Sequence, residues 1–197
     1  MLAQLLKSET RAAHHVLDHH PLLMQLFKPD LSVDTYALIL SSMRDVQVYC
    51  ENTLAVAAKN ISHHQYLDSQ SRIPLLNDDL RRLPYLPTIF QSIVDPITVN
   101  NMGAFIGMAY VIEGSALGGQ HIARYLQKTN PQLPIQFFSS AGFDCKQRWE
   151  LFLDFARSSC PQDQYENAVT SAVKTFEIYR RHMDRCLDKN ASNSVTL

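Results

Sequence analysis

The chain has 197 residues, which suits one domain able to bury about 70% of its unfolded surface and keep a real core. Its net charge of −1, its pI of about 6.7 and the lack of any basic run exclude a nucleic-acid binder. The longest uncharged apolar stretch, Met102 to Ile112, falls short of the roughly 20 residues that cross a bilayer, and the N-terminus lacks a secretion signal, so a soluble, cytoplasmic protein is expected. Cys50, Cys145, Cys160 and Cys186 form no CxxC pair, which argues against a zinc site or a redox dithiol.

In chain order, the periodicity predicts a first helix over about 2–18, with Leu2, Leu5, Leu6, Ala13, Val16 and Leu17 as its apolar stripe. The short segment PLLMQLF follows. Ser32 or Asp34 can cap a long helix over 33–60. Pro74, Pro84, Pro87 and Pro96 break residues 61–98 into short helices and turns. A glycine-bearing helix is predicted over 99–128, then helices over 143–158, capped by Asp144, and 162–188. The polar end KNASNSVTL reads as a frayed tail. With no alternating strand in sight, the fold class is all-α, a multi-helix bundle over 1–188 with a flexible tail over 189–197.

Five of the six glycines lie between Gly103 and Gly119, inside an otherwise apolar helix. Each costs about 1 kcal/mol against alanine there. At 100° per residue, Gly103, Gly107, Gly114 and Gly118 fall at about 0°, 40°, 20° and 60°, so one face is bare backbone. Close helix packing explains such a face, and so does a flat ligand lying on it.

The first helix carries a second pattern, KSETRAAHHVLDHH. Relative to His14, Lys7 lies at about 20°, Arg11 at about 60° and Asp18 at about 40°. One stripe therefore combines two cations, an imidazole and a carboxylate that could hold the second ring nitrogen. A solvated face with charge pairs one turn apart has the same pattern. The adjacent histidine pairs His14-His15, His19-His20 and His63-His64 are not chelates, because neighbours on a helix point about 100° apart. His15 and His19 do have chelate spacing, but no further ligands nearby complete a set.

A ligand with a metal centre, a flat apolar body and two peripheral carboxylates is a heme, and it would use both stripes. The combination T-x3-H-x2-L-D over Thr10 to Asp18 with Y-V-I-E-G-S-A-L-G-G-Q over Tyr110 to Gln120 resembles the heme oxygenase family, over nearly the whole chain. The second motif is the more specific. The resemblance implies that His14 is the proximal iron ligand and Asp18 its supporting carboxylate. It implies that Lys7 and Arg11 contact the propionates, and that Gly114 and Gly118 are the distal glycines, continued by Gly119. Ser115 stands where animal members carry an aspartate, and Phe176 matches an aromatic pocket residue, with Tyr179 in reach of a propionate. Glu113 reads as a helix-face residue bound to another helix. The implied activity is reductive, dioxygen-dependent opening of heme, substrate and cofactor together, to biliverdin, carbon monoxide and iron. The implied electron source is a soluble donor, a ferredoxin or flavin reductase, with no membrane anchor. A heme carrier of the same fold without turnover would share His14 and the glycine face. A di-iron bundle would need E-x2-H motifs, which the chain lacks.

Overall fold

The computed structural model describes residues 1–61, 71–84, 93, 95–142 and 144–194, with the backbone alone over 190–194. His63, His64 and Pro87 lie outside the described residues. Among those described there are nine helices and no strand, as the all-α expectation requires.

The expected first helix is two. α1 spans Leu2–Glu9 and α2 spans Arg11–Asp18. Between them the Thr10 hydroxyl donates to the Leu6 carbonyl at 2.7 Å, beside the Thr10 backbone N–H, which uses the same acceptor at 3.0 Å. Such back-bonding from threonine bends a helix. Leu2, Leu6 and Thr10, one turn apart, form the buried edge of α1, whereas α2 buries no residue completely. α3, Pro21–Met24, is capped by His20, whose Nδ1 accepts the Leu22 N–H at 3.1 Å. The His20 Nε2–H donates to Asp184 at 3.1 Å, tying this corner to the last helix.

α4 covers Val33–Asn60, the predicted span, because the Ser32 hydroxyl accepts from the Thr35 N–H at 3.1 Å and sets its start. α5 spans Ile73–Arg81. α6 spans Met102–Thr129 and starts later than the pattern predicts, since Asn101 caps it through the Ala104 N–H. The short α7, Gln136–Ser139, receives its first N–H groups on the Asp79 carboxylate of α5. α8, Cys145–Ser159, begins at the predicted Asp144 cap. α9 runs from Tyr165 to Ser194, so its backbone is helical beyond residue 188.

The packing axis of the bundle is α6 against α9. A Cβ at Gly103 would run into the Gln164 carbonyl oxygen, and one at Gly107 into the carbonyl oxygen of Ala168. These two glycines therefore bring backbone against backbone. The Ser171 hydroxyl of α9 closes the seam by donating to the Ala104 carbonyl at 2.7 Å. All four cysteines are buried and unpaired with one another.

Candidate functional site

The site begins at the bend. The Thr10 side chain neighbours the Tyr110 hydroxyl of α6, whose pKa is pushed up by burial, with Thr10 opposing that rise. One turn on from Thr10, α2 carries His14; one and two turns on from Tyr110, α6 carries Gly114 and Gly118. Beyond this junction the main packing partners of α2 are α1, α3 and α9, with α6 not among them. The two walls thus share a common floor, α9, and the gap between them, the cleft, is bridged by weak contacts at most.

On the α2 wall, His14 Nδ1 lies 2.7 Å from the Asp18 carboxylate, one turn away. The Phe176 ring of α9 meets the imidazole edge-on, with centroids 5.4 Å apart. His14 is 58% exposed in its side chain, so Nε2 stays open with its sister nitrogen held by a carboxylate. That is the arrangement that orients an imidazole for a metal. Lys7 and Arg11 are exposed on the same helical stretch.

The Asp18 hydrogen bond raises the His14 pKa above 6.5, against the opposing effect of burial. The pair therefore stabilises the empty protein fully below pH 6.5, and its contribution fades as pH rises through the raised value. A metal needs the neutral ring, so ligand affinity should increase over that same range. Imidazole proton NMR of the empty protein should show His14 titrating above 6.5. Asp18→Asn should bring that midpoint down; an unmoved midpoint would refute the coupling.

On the α6 wall the glycines separate. A Cβ at Gly118 would meet nothing within 4 Å, and one at Gly114 would touch only the Trp149 ring at 3.6 Å. Trp149 of α8 packs on Tyr110 and Phe152, with centroids at 5.4 Å for both. Gly119, expected on the ligand side, is buried with its Cα side against the backbone of Phe138, so packing accounts for it. A rotation of 100° from Gly118 is the reason.

One further side chain differs from expectation, and another has an unforeseen partner. Tyr179 does not face the cleft edge: it is 4% exposed and its hydroxyl donates to Gln47 Oε1 at 3.2 Å inside the core. Ser115 is held by a residue that sequence patterns give no reason to select, Arg72. This arginine is 2% exposed, donates from Nη2 to the Ser115 hydroxyl at 2.7 Å, and lies over the Phe137 ring at 4.5 Å. Its backbone N–H donates to Glu51, which also accepts from Gln47. A continuous polar chain thus runs from Ser115 through Arg72, Glu51 and Gln47 to Tyr179. Burial lowers the Arg72 pKa, yet a guanidinium remains charged in proteins. Glu113 makes the expected contact with another helix, an ion pair to Arg148 at 2.9 Å.

The heme oxygenase family model matches residues 1–185. The chain belongs to the heme oxygenase family. It is therefore a heme-degrading oxidoreductase. A heme oxygenase of Xanthomonas campestris pv. campestris (strain 8004) is 35% identical over 118 residues, covering 58% of this chain and 67% of that protein. Two solved structures share the fold. The heme oxygenase of Neisseria meningitidis, bound to NO and CO, superposes with a TM-score of 0.72 at 20% identity, covering 94% of this chain and 92% of that one. The heme oxygenase of the cyanobacterium Synechocystis, in complex with heme, gives 0.73 at 17% identity, covering 99% and 96%. No helix among the described residues is long and apolar enough to cross a membrane.

Proposed function

We propose that the cleft between α2 and α6 binds heme and that the protein opens it to biliverdin, with release of carbon monoxide and ferrous iron. Electrons come from a soluble donor, a ferredoxin or flavin reductase, in the cytoplasm. The observation that carries this reading is the bare face at Gly118, open where Gly103 and Gly107 are filled, on a helix that shares the α9 floor with an imidazole already oriented by Asp18.

The residues present suit the ligand. His14 would hold the iron, Phe176 would flank the ring, and Lys7 and Arg11 would receive the propionates. Gly114 and Gly118 would leave backbone alone against the flat face. When bound, heme supplies both the iron that activates dioxygen and the ring that is cleaved.

The chain's own residues set the conditions. Asp18 fixes the His14 tautomer by accepting from Nδ1–H, which leaves the Nε2 lone pair directed outward. Ser115 donates its proton to the Ile112 carbonyl at 2.7 Å and accepts from Arg72. Its remaining capacity is one lone pair, so toward any further group it accepts, and a water bound there would be the proton donor. The Arg72 charge beside it polarises the hydroxyl and favours negative charge nearby. No protein nucleophile is required.

Aerobic turnover of the hemin complex with a reductant, with products separated by isomer, tests the proposal. Biliverdin and carbon monoxide are expected in equal amounts. A complex whose spectrum never bleaches under these conditions would instead be that of a heme carrier.

A further inference from the structure

The heme reading makes no use of His15 of α2 and His19, one turn on, which caps the C-terminal end of that helix. Their rings stack with centroids 4.1 Å apart and planes 21° apart. Both are exposed. His19 Nδ1 lies 2.9 Å from the His15 carbonyl oxygen, which can only accept, so Nδ1 carries the proton and Nε2 the lone pair. An imidazole held through one nitrogen by a backbone carbonyl, with the other free, is the usual state of a metal-ligating histidine.

We infer that His15 and His19 form a two-histidine site for a divalent transition ion of the Zn2+, Ni2+ and Cu2+ class, on the outer face of α2. Two nitrogens at about 2.0–2.1 Å from a tetrahedral metal stand about 3.3 Å apart, so the two neighbouring exposed rings reach one ion once they swing out of their stacked arrangement. Water supplies the other positions, since no group of three or more metal-binding side chains exists among the described residues. Neutral nitrogen ligands select this class over Mg2+ and Ca2+, which take oxygen. The cation would lie at the last turn of α2, where the helix dipole is negative. Chelation across that turn ties down a helix that buries no residue completely, and so stabilises the folded chain by linkage.

This inference stands apart from the heme reading. It is tested by calorimetric titration of the untagged, heme-free chain with Zn2+, with Mg2+ as a control. One equivalent of Zn2+ should bind and raise the thermal midpoint, while Mg2+ does neither. His15→Ala and His19→Ala should each weaken Zn2+ roughly tenfold or more. His14→Ala and His121→Ala should keep the parent affinity; His121 is already bonded to Arg124. The inference is overturned by absence of Zn2+ binding, by unchanged affinity in the His15 and His19 variants, or by loss that follows His14.

Discussion

Replacing Gly107 by alanine is expected to destabilise the protein by about 3 kcal/mol or more, while the same change at Gly118 leaves it as stable or improves it by up to about 1 kcal/mol. The added methyl is identical and the helix is the same. At Gly107 it meets the Ala168 carbonyl and the Ala172 N–H side of α9, backbone that cannot move aside without parting α6 from α9. At Gly118 it meets open space, so only the gain in helix propensity remains. Urea unfolding reads the contrast as a shifted midpoint at constant slope. A second arm separates fold from site. Gly118→Phe should unfold like the parent and yet fail to take up hemin, because the ring would stand in the cleft. Equal destabilisation at the two positions, or normal hemin uptake by Gly118→Phe, would reject this division of the cluster.

His14→Ala should abolish turnover, with a fall of more than roughly 1000-fold, or about 4 kcal/mol in the barrier. Stability should barely change. The His14 and Asp18 side chains are both more than half exposed, and exposed pairs contribute little. Loss of activity would therefore report the missing iron ligand, and added imidazole should restore the hemin spectrum in part. The neighbouring His15→Ala is the control, since its ring points about 100° away on the helix. An unchanged hemin spectrum in His14→Ala, or loss in His15→Ala instead, would move the axial ligand elsewhere.

What could be read from the sequence was what depends on local chemistry. The helix over 33–60 and the Asp144 cap follow from side chains within a turn of the boundary, and the structure keeps both. The pairing of His14 with Asp18 likewise follows from helical spacing alone. The bend at Thr10 was not legible, because a threonine in a helical stretch bonds back only where its surroundings favour it. Gly119 was carried to the ligand side by continuity with Gly118, although adjacent positions face different neighbours. Tyr179 was placed at the cleft by its closeness in sequence to Phe176, yet its hydroxyl is drawn to Gln47 from α4. Arg72 had no local signal at all. It precedes a short helix in the proline-broken region, and its partners Ser115, Ser140 and Phe137 come from α6 and from the segment around α7.

The bend at Thr10 gives the two walls of the cleft unequal compliance. α6 is seated on α9 through glycine backbone, so any displacement of it would open the core. α2 hangs from that bend at one end and from the His20 to Asp184 hydrogen bond at the other, with no fully buried side chain between them. Local opening is cheapest where the least apolar surface is uncovered. Of the two walls, the histidine wall therefore has the less buried surface to uncover on local opening, and the bend at Thr10 marks where that looser stretch begins.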